Sequence, residues 1–178
     1  MKLLMILTNE FEEIEALGTI ALLRRANCEV DIYSLHGESL IGRYDISINE
    51  LHLMNELNIN DYGGLIIAGG PQYKELELDK KFIDIVIDFY RKKKYICAIC
   101  AGPTILGHLG ILKDKKYTCF TSMNEEFGGT YIDQYVVVDK NIITARSAAA
   151  TIDFAFAIIK TIYGEELEAK IKKQIYYW

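Results

Sequence analysis

The order of apolar and polar positions along the chain predicts alternating strands and helices. Residues 3–7 form a continuous apolar run, which is typical of a parallel strand covered on both faces. Residues 12–26 carry apolar side chains at helical spacing, and residues 29–34 alternate between apolar and polar positions as a strand does. Residues 43–53 also alternate, which predicts a shorter pair of strands or a loop. The first part of the chain therefore begins as strand, helix and strand.

The same pattern continues to the C-terminus, where a strand or a hairpin is again followed by a helix. The predicted elements are strands at 64–68, 95–99 and 116–120, a helix at 79–94 capped by Asp79, a short helix to about His108, a hairpin of 135–139 and 142–145, and helices at 150–163 and 165–177. No repeat or linker interrupts this order. It predicts one doubly wound α/β domain over residues 1–178 with a mostly parallel sheet.

Composition places the chain among ordinary globular proteins and excludes several partners. Of the 178 residues, 51% are hydrophobic and 25% charged, and the net charge of -5 with scattered Lys and Arg gives no reason to expect nucleic acid as a partner. The apolar stretch after Lys2 is too short for a signal peptide, and no run is long enough to cross a membrane. We expect a cytoplasmic protein without a membrane partner, so its four cysteines are expected to be reduced thiols.

The most informative stretch of the sequence runs from residue 95 to residue 103. An apolar run of strand character stops at Cys100, and Ala101, Gly102 and Pro103 follow at once. Proline suits the first turn of a helix, where its missing N–H would be unpaired anyway. Cys100 is therefore predicted at a strand-to-helix elbow, against the positive end of a helix, which favours thiolate. The arrangement resembles a nucleophile elbow with sulfur in place of oxygen.

The other cysteines have less distinctive positions. Cys97 and Cys100 match the C-x-x-C spacing of redox pairs, but Cys97 lies inside the predicted strand, which indicates a structural role. Cys119 is interpreted as a core thiol, with the alternative that it resolves an oxidised Cys100. Cys28 lies between a helix and a strand and suggests no chemistry. No cluster of His, Cys and acidic residues has the spacing of a metal site, so no metal is expected.

Three predicted strands end in segments that suit a catalytic site, because sites in open α/β sheets form at the carboxyl ends of strands. These segments are residues 8–15, residues 68–70 and Cys100. The N–H groups of a glycine turn at Gly69 and Gly70, and that of Ala101, suit an oxyanion hole. The first segment holds four acids that could exchange a proton with the thiol, and periodicity alone does not choose among them: Glu10, Glu12, Glu13 and Glu15.

Four pieces of the chain together resemble the ThiJ/PfpI superfamily, in particular its parkinsonism-associated protein deglycase branch. They are residues 12–15, residues 65–70, residues 98–104 with the sequence Ala-Ile-Cys-Ala-Gly-Pro-Thr, and residues 143–147, and they occur in family order over nearly the whole chain. The resemblance implies a single domain with a flavodoxin-like, class I amidotransferase-like sandwich. It also implies that the protein forms a homodimer and needs no cofactor.

The resemblance assigns roles to individual residues. It implies that Cys100 is the nucleophile and that Glu15 is the buried acid hydrogen-bonded to it. Gly69, Gly70 and Ala101 would supply the oxyanion-hole backbone. The sequence departs from the family at the histidine that many members place near the thiol, since Phe120 stands where the deglycase branch has it. His108 lies roughly 12 Å along a helix from Cys100, at ~1.5 Å per residue, so a Cys-His protease dyad is disfavoured.

Three functions are open at this point. The first is a cysteine-dependent enzyme of glutathione-independent glyoxalase or deglycase type, acting on small reactive carbonyls or glycated substrates with a role in carbonyl or oxidative stress. In it Cys100 attacks the carbonyl, Glu15 moves the proton, and the Gly70 and Ala101 amides hold the oxyanion. The alternative is a redox-sensing or protective protein whose Cys100 is oxidised to sulfinate. An amidase or peptidase ranks last, because no histidine is placed to serve it.

Overall fold

The computed structural model describes residues 1–177, and strands make up its centre. The strands are β1 Lys2–Leu7, β2 Glu29–Ser34, β3 Leu40–Ile41, β4 Ser47–Ile48, β5 His52–Leu53, β6 Gly64–Ile67, β7 Tyr95–Ile99, β8 Lys116–Tyr117, β9 Thr130–Tyr131, β10 Val136–Asp139 and β11 Ile142–Ala145. Seven of them form one sheet in the order β10-β11-β7-β6-β1-β2-β5. All neighbours in it pair in parallel except β10 and β11, which form the predicted antiparallel hairpin.

Helices cover both faces of this sheet. They are α1 Thr19–Arg25, α2 Tyr73–Leu78, α3 Lys80–Arg91, α4 Gly102–His108, α5 Thr151–Tyr163 and α6 Glu165–Gln174. Alternate residues of β1 belong to two separate apolar cores, with Leu3 and Met5 in one and Leu4 and Ile6 in the other. The first core includes side chains of α1 and α5, and the second includes side chains of α3 and α4. The doubly wound α/β fold predicted from the sequence is confirmed.

Most predicted elements lie where the pattern places them. The Asp79 side chain caps α3 as expected, accepting a hydrogen bond of 2.7 Å from the Phe82 amide. The segment 43–53 contains part of the small antiparallel pair β3–β4 and the edge strand β5. Among the described residues, no helix is long and apolar enough to cross a membrane.

Three elements differ from the prediction, and two of the differences bear on the site. The helix predicted at 12–26 begins with a π-helical turn, Ile14–Gly18, before α1; such turns are frequent at functional sites. The strand predicted at 116–120 keeps ladder pairing only in β8, because the following residues turn towards Cys100, whose carbonyl accepts the Phe120 amide at 2.9 Å. Helix α2 was not predicted, since only Leu76 within it is buried.

Candidate active site

Cys100 lies directly after β7 and begins the turn into α4. Its backbone has a φ of 63°, in the left-handed region that residues other than glycine rarely adopt. Two backbone hydrogen bonds hold it there: the Cys100 amide donates to the Ala145 carbonyl at 2.9 Å, and the Cys100 carbonyl accepts from the Phe120 amide at 2.9 Å. The elbow predicted from the sequence is therefore present, and segments from three parts of the chain position it.

The Glu15 carboxyl lies beside the Cys100 thiol, close enough for each group to shift the pKa of the other. Glu15 is in the π-helical turn and its side chain is 1% exposed. Its Oε2 accepts the Gly69 amide at 2.8 Å, while its Oε1 is buried and meets no donor at hydrogen-bonding distance and angle. A proton carried by Glu15 is therefore favoured on Oε1, since Oε2 already accepts a donor.

Burial sets the proton affinity of Glu15. Desolvation raises the pKa of Glu15 to about 7, and the nearby Glu12 carboxylate adds to the rise. Hydrogen bonds from Cys100 and Gly69 and the charge of Arg43 oppose it. Glu12 also holds the turn, because its Oε2 accepts the Glu15 amide at 2.7 Å. A carboxyl with this pKa both takes and gives a proton near neutral pH.

The pKa of the Cys100 thiol is raised, which reverses the expectation drawn from its place at a helix start. Burial is the main cause, followed by the charge of Glu15 and the hydrogen bond to it. The Ala101 amide acts in the opposite direction but does not outweigh them. Helix α4 has only seven residues, so its dipole is small. Glu15 thus lies where it can receive a proton from the thiol.

The two glycines after β6 allow this close approach. A Cβ on Gly69 would lie 2.5 Å from Glu15 Oε2 and 2.8 Å from Cys100 Cβ. Gly70 has a φ of +90°, and a Cβ there would lie 2.5 Å from the backbone oxygen of Glu10. The Gly69 amide is engaged by Glu15, whereas Gly70 and Ala101 line the cavity in front of the sulfur. The structure thus brings all five predicted site residues together, and their chemical roles stay predictions.

Gln72 stabilises the glycine turn through its side-chain amide. The sequence pattern does not predict this role of Gln72. The side chain is 2% exposed, and its Nε2 donates to the carbonyls of Ala68 at 3.2 Å and Gly69 at 3.0 Å. Its Oε1 accepts the Thr8 amide at 3.0 Å. Gln72 therefore ties the end of β1 to the turn after β6. The only signal in the sequence is its position two residues after Gly70.

A cavity of about 460 Å³ opens in front of Cys100. None of the three histidines lines it in the described chain. His108 pairs with Glu77 and, at 3.2 Å, with Glu125, while His36 pairs with Glu75. Within residues 1–177, no histidine side chain therefore lies in the cavity beside the thiol.

The other three cysteines are buried. Burial raises the pKa of Cys97, and it raises that of Cys119 to about 11. The C-x-x-C spacing of Cys97 and Cys100 therefore does not place two accessible thiols side by side. A resolving role for Cys119 stays a prediction. Within residues 1–177, no group of three or more His, Cys, Asp or Glu side chains is arranged to hold a metal ion.

Comparison with known proteins identifies the family. The sequence model of the DJ-1/PfpI family matches residues 1–161. This chain belongs to the DJ-1/PfpI family. The DJ-1/PfpI relatives include the deglycase PfpI of Pyrococcus furiosus, which is 30% identical over 149 residues, covering 82% of this chain and 90% of that protein.

Solved DJ-1/PfpI structures share the fold over the whole chain. Drosophila melanogaster DJ-1beta superposes with a TM-score of 0.91 at 26% sequence identity, covering 99% of this chain and 98% of that one. Oxidised DJ-1 of Toxoplasma gondii gives a TM-score of 0.90 at 26% identity, with the same coverage of both chains. The resemblance to the ThiJ/PfpI superfamily seen in the sequence is confirmed.

Proposed function

We propose that this protein is a cysteine-dependent enzyme that acts on small reactive carbonyls without glutathione, in the manner of a glyoxalase or deglycase. The observation that carries the proposal is the Cys100 thiol paired with Glu15, a carboxyl with a pKa of about 7, at the floor of an open cavity. Relatives named deglycases support the same class of substrate. No histidine is needed, because Glu15 itself serves as the proton carrier.

The first step is addition of sulfur to the carbonyl carbon. As the Sγ–C bond forms, the thiol proton passes to the ionised Glu15 and the carbonyl π electrons move to oxygen. The amides of Gly70 and Ala101 stabilise the resulting oxyanion. Protonated Glu15 then gives this proton to the oxyanion, which yields a hemithioacetal and leaves Glu15 ionised for the next step. Removing the proton during attack, rather than before it, suits a thiol whose own pKa is raised.

The second step converts a dicarbonyl adduct into a hydroxy acid. With methylglyoxal, Glu15 removes the proton from the carbon bonded to sulfur, giving an enediol, and returns it to the neighbouring carbon. The product of this transfer is a thioester of lactate on Cys100. Water hydrolyses it, releasing lactate and the free thiol, so the net reaction adds one water and needs no oxidant. A glycated amine would enter as its aminocarbinol: the Cys100 sulfur replaces the nitrogen on that carbon, the amine leaves with the thiol proton, and the same hemithioacetal results.

The setting of this activity is part of the proposal. We infer a homodimer that works in the cytoplasm and limits carbonyl or oxidative stress. Support comes from the family resemblance and from Ile14, which is 60% exposed on the turn that carries Glu15. An apolar side chain left in solvent beside a site favours cover by a second copy.

The test is conversion of methylglyoxal to lactate without glutathione, followed from pH 5.5 to 8.5. We expect kcat/KM to rise with pH and to level off above about 7, because Glu15 accepts the thiol proton only when it is ionised. Unfolding midpoints over the same range provide the control for stability. Absence of lactate, or a rate that does not change between pH 5.5 and 8.5, would contradict the proposal.

A second candidate function is a protective thiol that peroxide oxidises. Of the four cysteines, Cys100 alone is partly exposed in the described chain. Two peroxide molecules would convert its thiol to sulfinic acid with loss of two waters, and protonated Glu15 would hydrogen-bond the product. One relative of similar fold was solved in an oxidised form. This candidate ranks second, because a raised thiol pKa slows oxidation.

Intact mass after peroxide treatment separates this candidate from the enzyme. The protective function predicts that Cys100 gains two oxygen atoms before other residues are oxidised to a comparable extent. The Cys100→Ala variant should not show this gain. If the mass stays unchanged in millimolar peroxide while lactate is formed, the enzyme is supported and the protective thiol is rejected.

A further inference from the structure

Phe120 forms the wall of the cavity next to the sulfur. Its amide donates to the Cys100 carbonyl, so its backbone is fixed 2.9 Å from the nucleophile's own backbone. Its side chain lines the cavity and is 42% exposed, although it is large and aromatic. An aromatic ring that is held beside a nucleophile and left partly in water is suited to cover by an apolar ligand.

Other apolar side chains extend this wall. Met123 lies in the same short 3-10 turn, Thr121–Met123, and also lines the cavity. Ala148 and Ala149 follow β11, whose last residue, Ala145, accepts the Cys100 amide. Both are too small to fill the space that they border. We call these four residues, Phe120, Met123, Ala148 and Ala149, the apolar wall.

The polar side chains enter the cavity from another part of the sheet. Glu12 follows β1, and Arg43 is tied to the same region because its amide donates to the Phe11 carbonyl at 2.9 Å. Strand β6 separates β1 from β7. The charged side chains of the cavity therefore lie on the side of β1 and β6, where Lys74 of α2 joins Glu12 and Arg43, together with Tyr44, Pro71 and Tyr73. The apolar wall lies on the side of β7 and β11, where Ser147 is the polar neighbour.

This division, together with the proposed chemistry, orients a substrate. The carbonyl carbon must lie at the Cys100 sulfur and its oxygen at the Gly70 and Ala101 amides. An apolar substituent on the neighbouring ketone carbon of an α-oxoaldehyde is then better placed against the apolar wall than against Glu12 and Arg43, whose hydration it would remove. A methyl group covers little of Phe120, and the 460 Å³ cavity holds a much larger group.

We propose that the apolar wall makes this protein selective for α-oxoaldehydes with an aromatic or bulky apolar substituent, such as phenylglyoxal, over methylglyoxal. The inference rests on the proposed function and specifies its substrate class. Phenylglyoxal would react by the same steps as methylglyoxal. Sulfur adds to the aldehyde, Glu15 moves the proton between the two carbons, and water hydrolyses the thioester to release mandelate. Phe120 is thereby a specificity-determining residue.

The experiment compares kcat/KM for phenylglyoxal with kcat/KM for methylglyoxal. Each value is divided by the rate constant with which that aldehyde adds to a small free thiol, so that intrinsic reactivity is removed from the comparison. We expect a preference for phenylglyoxal of about tenfold, the order that a filled apolar pocket supplies. In Phe120→Ala this preference should fall about fivefold, and Phe120→Leu should retain part of it. Tyr90→Ala, at an aromatic residue 38% exposed on α3, is the matched control and should keep the wild-type preference.

A binding measurement separates failure of this inference from failure of the proposed enzyme. Acetophenone and acetone, which form no hydroxy acid, are compared as protectants of Cys100 against alkylation by iodoacetamide, with the labelled peptide measured by mass spectrometry. Better protection by acetophenone, lost in Phe120→Ala, supports the apolar wall even if neither aldehyde is turned over. Equal protection by the two ketones, or a normalised preference for methylglyoxal, would overturn the inference while leaving the enzymatic function standing.

Discussion

Replacement of Cys100 by serine is expected to lower kcat/KM for methylglyoxal by at least about 10³-fold, because the reaction proceeds through a bond to sulfur. A hydroxyl is a weaker nucleophile than a thiol, and Glu15, with a pKa of about 7, is too weak a base to activate it. Serine is close to cysteine in size and keeps the backbone bonds to Ala145 and Phe120. Lactate formation by the purified variant, with circular dichroism to verify folding, measures the effect.

The matched control is Cys28→Ser, which changes a buried thiol remote from the cavity. Cys28 lies before β2, and its sulfur contacts only the Ala26 carbonyl at 3.9 Å among the backbone acceptors. Its variant should retain turnover within a fewfold. If Cys100→Ser kept more than about a tenth of the wild-type rate, covalent catalysis through sulfur would be rejected.

Replacement of Glu15 by glutamine is expected to abolish turnover and to stabilise the fold at alkaline pH. The folded-state pKa is raised from 4.5 to about 7, so the native protein holds a proton that the unfolded chain releases first. Stability from this group is present below pH 4.5 and is lost as pH rises through about 7. The loss above that pH is about 3 kcal/mol, at ~1.4 kcal/mol per pKa unit. Glutamine does not titrate and can still accept the Gly69 amide.

Urea unfolding at pH 5 and pH 8 tests the stability effect. The gain of Glu15→Gln over wild type should be about 3 kcal/mol at pH 8 and under about 1 kcal/mol at pH 5. Glu166→Gln, at an exposed position on α6, is the control and should change little at either pH. An equal gain at both pH values would show that the carboxyl is not buried in the way described.

The sheet could be predicted because its central strands are continuous apolar runs. Strands β1, β6 and β7 are buried on both faces, and this leaves a direct mark in the sequence. Helix α2 leaves no such mark, since only one of its six residues, Leu76, is buried. The position of Cys100 could also be predicted, because a strand followed by Ala-Gly-Pro requires a sharp turn into a helix.

The identity of the acid and the state of the thiol could not be derived from the residues alone. Glu12, Glu13 and Glu15 are all buried, so helical periodicity does not single out the one that faces sulfur. The resemblance to a family was needed for that assignment. The raised thiol pKa depends on burial and on the charge of Glu15, which are properties of the folded site. The local sequence indicates only that Cys100 lies at the start of a helix. That position lowers the pKa of the thiol, by less than burial and Glu15 raise it.

The left-handed backbone of Cys100 carries a consequence for how this chain can change over time. Glycine or asparagine would occupy a φ of 63° at lower energy than cysteine, by about 1 kcal/mol. Substitutions that stabilise this turn would therefore replace the cysteine and remove the sulfur from this position. A lineage that no longer used the thiol would be expected to acquire glycine at the elbow and to gain stability by doing so. Under the proposed function, selection for the chemistry of Cys100 outweighs selection for a relaxed turn at this position.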